Sequence, residues 1–136
     1  MKERDEKDMP LAIEKWGWKY HHLGIPTHEK LTDAAYLPKL KLSVKGFKTS
    51  PFGVEWMKFD EDCPIHELIK TVPHLAFVVN DLDFELKTKG FKIISEPSSP
   101  MESIRVAMIE HNGLPIELME FKNEKDSNQA KDRKPL

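Results

Sequence analysis

The sequence predicts an α+β fold in which two similar units share one core. Three observations carry this expectation: an ordered internal repeat, six strand candidates, and charge concentrated at the two ends. The repeat opens on His21-His22-Leu23-Gly24-Ile25, echoed by Pro73-His74-Leu75-Ala76-Phe77. Each copy continues through a polar turn and a helix candidate to a Lys-Gly-Phe-Lys element, at 45–48 and at 89–92. Each closes on a strand bearing a glutamate, Gly53-Val54-Glu55-Trp56 and Pro115-Ile116-Glu117-Leu118. The shared order of these elements, more than any single tetrapeptide, makes the repeat.

Taken in chain order, residues 1–8 hold seven charges and 122–136 hold eight, so the ends, 1–15 and 122–136, read as solvated tails. The two units then occupy 16–72 and 73–121. The first strand, 19–26, alternates, with Leu23 and Ile25 on one face and Tyr20, His22 and Gly24 on the other. A helix is expected within 29–40, where Pro38 argues for a break. An aromatic-rich strand at 52–59 lies between Pro51 and the acidic turn Asp60-Glu61-Asp62, and 63–70 reads as a short helical connector. The second unit has a strand at 74–79 and a helix opened by Asn80-Asp81 and closed by Gly90. Strands at 91–95, 104–109 and 115–121 follow, the last two joined by the turn signal His111-Asn112-Gly113.

Composition excludes several classes. With 136 residues the chain has no room for separate cofactor and substrate domains. A net charge of -2 and a pI near 6.3 give no basic field for nucleic acid. The longest wholly apolar run, Leu75-Ala76-Phe77-Val78-Val79, is far too short to span a membrane. No apolar leader opens the sequence, and Cys63 is the single cysteine, so the expected setting is the reducing cytoplasm. The six glycines form no phosphate-cradling loop, and no G-x-S-x-G occurs.

Strand parity points to chemistry. His22 shares its face with Gly24, and His74 shares its face with Ala76, so each histidine has a small neighbour and open space above the sheet. Glu117 faces away from Ile116 and Leu118. Two histidines and two carboxylates on repeated strands make a feasible cage for a divalent metal.

At these residues the sequence resembles the vicinal oxygen chelate superfamily, which includes glyoxalase I, methylmalonyl-CoA epimerase, extradiol dioxygenases and bleomycin resistance proteins. The resemblance runs from Tyr20 to Phe121 and is fullest in PHLAFVVNDLDFELKTKGFKI and IRVAMIEHNGLPIELMEF. It implies two βαβββ modules in a pseudo-two-fold arrangement, forming a cupped mixed sheet around a metal site with helices outside. It implies four metal ligands, His22 and Glu55 from the first module and His74 and Glu117 from the second. It implies a lyase or isomerase of the glyoxalase type acting on a small oxygenated substrate, with Glu117 and Glu55 as acid/base residues. The metal is one of Ni, Zn, Mn, Co, Mg or Fe, and a homodimer is compatible with the pattern. The first module is compressed, since 33 positions separate His22 from Glu55 against 43 from His74 to Glu117. His66, in Pro64-Ile65-His66, competes with Glu55 for the third ligand position, and Glu55 is preferred because it lies on a regular strand. Two other classes remain: a non-catalytic module that sequesters a drug or metabolite, and an Fe(II) ring-cleaving dioxygenase.

Other residues have simpler readings. His21 has opposite parity and is expected to point away from His22. His28 and His111 fall at turns, and Cys63 reads as structural. Lys39, Lys41, Lys45 and Lys48 read as a solvated face, with an anion clamp as the sharper reading, and Arg105 is a second candidate for such a clamp. Trp16, Trp18 and Trp56 read as packing.

Overall fold

The computed structural model describes residues 1–122; the charged stretch at 123–136 lies outside the described residues. Eight strands form one mixed sheet: β1 (Lys19–Pro26), β2 (Ala35–Leu37), β3 (Leu42–Lys45), β4 (Val54–Phe59), β5 (His74–Val78), β6 (Lys92–Met101), β7 (Ile104–His111) and β8 (Leu114–Phe121). Their order across the sheet is β2-β3-β4-β1-β5-β8-β7-β6. Strands β1 and β4 are parallel, as are β5 and β8, and the remaining pairs are antiparallel. Each half thus repeats one topology, a first strand lying parallel to the last strand of a three-stranded meander. The halves meet where β1 pairs antiparallel with β5. Two strands of opposite direction at the centre are what a pseudo-two-fold relation requires.

The sheet is curled. Flat, eight strands at about 4.8 Å spacing would hold their edges roughly 34 Å apart. Here Leu37 on edge strand β2 and Met101 on edge strand β6 line one cavity of about 310 Å³. Three register irregularities between β6 and β7 bend that edge inward.

The outer face carries the main core. Trp18, Val79, Leu82, Ala107, Ile109 and Leu118 are all buried together. Leu82 belongs to α1 (Leu82–Thr88), whose start is set by the Asp81 carboxylate accepting from the Phe84 N–H at 3.1 Å. Gly90, at φ 65°, turns the chain out of this helix toward β6. The buried Glu85 accepts from the Trp18 Nε1–H at 3.0 Å and pairs with Lys89 at 2.8 Å, so the one acid under the helix is satisfied. Asn112 and Gly113, both at positive φ, form the two-residue loop between β7 and β8. A second short helix, α2 (Glu67–Thr71), occupies the connector expected at 63–70. Ala12–Lys15, inside the expected N-terminal tail, forms one helical turn that packs Ala12 against the core.

The first half departs from expectation in three ways. No helix lies within 29–40; the segment instead runs as a loop into β2, with the Thr27 hydroxyl accepting from the Glu29 N–H and Asp33 at φ 55°. Polar turn chemistry at 27–33 and Pro38 defeat the helix that the spacing predicts. Strands β2 and β3, of three and four residues, were not visible as alternation because they are shorter than the pattern needs. The compression therefore removes the helix and shortens two strands, while retaining the whole strand order. Third, the two Lys-Gly-Phe-Lys elements are not equivalent. The first leads from β3 into a 3-10 turn at Phe47–Thr49, while the second leads from α1 into β6. What they share is a left-handed glycine, Gly46 and Gly90.

Candidate metal centre

Four donor side chains of the repeat come together on the inner face, and the strand register explains how. In the β1–β5 pair His22 lies opposite Ala76, and Gly24 lies opposite His74. On the parallel flanks Gly24 lies beside Glu55, and Ala76 beside Glu117. Two rows result, Glu55–Gly24–His74 and His22–Ala76–Glu117, each with a small residue between a histidine and a carboxylate. Residues in register share a face, so both rows project into the cup. The space over Gly24 is already taken: a Cβ there would fall 2.1 Å from Cε1 of His74. Glycine is required at position 24 because the imidazole of the other half lies on it.

The donor atoms converge. His22 Nε2 and His74 Nε2 are 3.3 Å apart. An oxygen of Glu117 lies 3.1 Å from His74 Nε2 and 3.4 Å from His22 Nε2, and one of Glu55 lies 3.7 Å from His22 Nε2. Both histidines are buried, His22 at 4% and His74 at 1% exposure, and both carboxylates are largely covered. A divalent ion with ligands at about 2.1 Å needs donors roughly 3.0–3.4 Å apart. The separations among His22, His74 and Glu117 match that requirement, and their ligand atoms all lie within 4.8 Å of one another. Glu55 is slightly farther out. His66 is not part of the cluster: it is exposed, and its Nδ1 accepts from the Leu68 N–H at 3.0 Å as the cap of α2.

The two carboxylates differ electrostatically. Burial pushes the Glu55 carboxyl above its ordinary value, opposed by the nearby His22. Burial acts on Glu117 in the same sense, but hydrogen bonds to His22 and His74 outweigh it and hold the group down at about 2.

His21 is the residue that alternation misplaced. The β1–β5 register shifts between Tyr20 and His22, so Tyr20 pairs with Phe77 and His22 with the adjacent Ala76. His21 is the extra residue of this bulge and turns toward the cup instead of away from it. Its ring stacks on Phe47 at 4.8 Å with an 11° interplanar angle, and its Nδ1 is 2.7 Å from Nδ1 of His22. One of those nitrogens must donate and the other accept. A donating His22 Nδ1 leaves the Nε2 lone pair aimed at the cluster, the tautomer a metal ligand needs. A two-residue run of histidine at a strand start was the only sequence signal for this arrangement. His74 has no such support, since its Nδ1 is buried with no hydrogen-bond partner among the described residues.

Of the anion-clamp candidates, Arg105 and Lys41 are engaged with acids. Arg105 forms a two-pronged contact with Asp83, both at 3.1 Å, and a third bond to Glu120. Lys41 pairs with Asp62 at 2.6 Å, and Lys45 bonds to Thr32. Trp18 is core, Trp16 packs on it at 5.0 Å, and Trp56 is exposed. Cys63 is buried with its thiol on the Leu40 carbonyl at 2.9 Å, and His28 and His111 are exposed.

Solved structures share this architecture. A hypothetical protein from Bacillus halodurans C-125 superposes with a TM-score of 0.61 at 21% identity, over 79% of this chain and 96% of that one. Methylmalonyl-CoA epimerase from Mycobacterium tuberculosis superposes with a TM-score of 0.56 at 20% identity, over 80% of this chain and 91% of that one. No family model and no curated protein matches the sequence. At these identities the likeness establishes the fold. The curled mixed sheet is consistent with the cupped fold of the vicinal oxygen chelate superfamily. Among the described residues no helix is long and apolar enough to cross a membrane.

Proposed function

We propose that the chain is a metal-dependent isomerase or lyase of the glyoxalase type, acting on a small substrate with two neighbouring oxygens. The observation that carries this reading is the convergence of His22, His74 and Glu117, with Glu55 beside them, where His22, Glu55 and Glu117 line a largely apolar cavity and His74 lies buried behind them. The fold neighbour named methylmalonyl-CoA epimerase, an isomerase, supports it. His22, His74 and Glu117 would hold a divalent ion, with Glu55 as fourth donor. When bound, such an ion supplies Lewis acidity to the substrate oxygens as negative charge develops on them. Glu117 is held by both histidines and serves as the fixed ligand. Glu55 touches only His22, which leaves it the freer carboxylate to take the proton from the carbon next to the carbonyl and return it. The apolar walls keep bulk water from competing for that proton.

The test is elemental analysis of the purified protein together with deuterium exchange into 2-hydroxycarbonyl compounds followed by NMR. Bound metal that is lost in both His22→Ala and Glu117→Ala, and exchange that is lost in Glu55→Gln, are the expected results. Full metal retention in both ligand variants would sink the reading.

A second reading rests on the same three donors. Two histidines and one carboxylate are also the ligand set of non-haem Fe(II) oxygenases. Oxygen-dependent turnover of catechols by the iron-loaded protein would favour it, and oxygen-independent proton exchange would exclude it. A ligand-sequestering module predicts tight binding without exchange or turnover.

A further inference from the structure

Building on the proposed oxygen-chelating centre, we infer that the cavity selects an uncharged aliphatic group on the substrate. The substrate class is then a neutral α-oxygenated carbonyl compound with a short alkyl chain, rather than a dicarboxylate or a phosphate ester held inside the cup. The inference rests on what the cavity contains beyond the donor cluster. Its walls are Leu37, Met57, Met101, Val106 and Met119, contributed by five different strands. The charged side chains lining it are Glu55 and Glu117, both acids.

Two nearby cations are paired with acids. Arg105 is held by Asp83 and Glu120, and Lys41 by Asp62. Lys45 and Lys48 line a groove that meets the cavity at Ala35, Val44 and Glu55, and neither lines the cavity itself. A carboxylate or phosphate at the apolar end of the cup, away from the metal, would meet no lysine or arginine, and Glu55 and Glu117 beside the donors oppose its entry, so its desolvation would go uncompensated. An alkyl chain meets thioether and branched aliphatic surface, and methionine adapts its shape to such a guest. A volume of about 310 Å³ lies at the small end of ligand sites, which limits the chain to a few carbons.

Hydroxamic acids test this, because each presents two adjacent oxygens to a metal and carries a chain of chosen length. Binding of acetohydroxamate, butyrohydroxamate and hexanohydroxamate to the Zn2+-loaded protein is measured by calorimetry, beside succinic acid monohydroxamate, which has the butyro length but ends in a carboxylate. Affinity is expected to rise about threefold to fourfold per methylene over the first few carbons. The carboxylate-ended probe is expected to bind at least tenfold more weakly than butyrohydroxamate. Met101→Lys, at a position 43% exposed that accepts a lysine without disturbing the core, is expected to narrow or invert that gap.

Chain-independent affinity, or a wild-type preference for the carboxylate-ended probe, overturns the inference. A metal-free arm separates it from the reading it rests on. There, 1-hexanol is expected to shift the methyl NMR signals of Met57, Met101 and Met119. If hexanol does so while no hydroxamate binds the Zn2+-loaded protein, the apolar selection holds and the metal centre does not. Silence in both arms removes both.

Discussion

His21 and Gly24 show how much single side chains decide in this cup. If His21 fixes the tautomer of His22, then His21→Leu is expected to weaken Zn2+ binding by about 10- to 100-fold, the usual effect of losing a ligand's hydrogen-bond partner. His21→Asn, whose side-chain oxygen can occupy the Nδ1 position, is expected to restore most of it. Nitrogen NMR of the metal-free protein should show His22 protonated at Nδ1 in the wild type and lose that preference in His21→Leu. Gly24→Ala is expected to expel the His74 ring, costing about 1–3 kcal/mol of stability as an overpacked site and lowering metal affinity with it. The two carboxylates should respond oppositely to pH in metal-free protein. Glu117 is depressed to about 2 from an ordinary 4.5, so its contribution is fully present above about 4.5 and is lost as pH falls toward 2. Glu55 is raised, so its ionisation opposes folding as pH rises through the ordinary carboxylate range. Thermal melts of metal-free Glu117→Gln and Glu55→Gln at pH 7 should therefore move in opposite directions, the first down and the second up.

At the scale of elements, legibility tracked length and end signals. Strands β1, β4, β5, β7 and β8 are runs of five or more strand-forming residues bounded by turn signals, β1 alternating and β5 continuously apolar after His74, and α1 has both a capping aspartate and a closing glycine. Those elements lie where the sequence predicts them. The Asp81 cap is the main local determinant of α1, and Asp81→Ala is expected to cost about 1 kcal/mol, a fall in Tm of about 3–5 °C by calorimetry. Failures came where no period could develop or where it was interrupted. Three-residue β2 offers too few positions to alternate, and the loop before it imitates a helix only in spacing. The bulge at His21 defeats parity by construction, because one extra residue reverses the face of everything before it. The four repeat donors were legible since each lies on the regular part of its strand, C-terminal to that bulge or in strands without one.

For the whole molecule, the decisive fact is that the donors belong to both halves. His22 and Glu55 come from one meander and its partner strand, His74 and Glu117 from the other, and β1–β5 is the strand pairing that joins them. Metal bound at such a seam stabilises both halves at once. Zn2+ at a thousand times its Kd is expected to raise Tm by on the order of 10 °C, and chelation to reverse the rise. His74→Ala should abolish the shift while leaving a folded protein by circular dichroism.

The seating of His74 over Gly24 also has a consequence for descent. A methyl group at position 24 and an imidazole in the present seat of His74 cannot coexist, so the two positions, fifty apart, are expected to vary together. A relative that has given up histidine at 74 is released from glycine at 24 and can drift to any small strand-former. A side chain at the equivalent of position 24 is then expected to mark relatives in which the histidine at 74 is gone or reseated, readable from sequence before any protein is made.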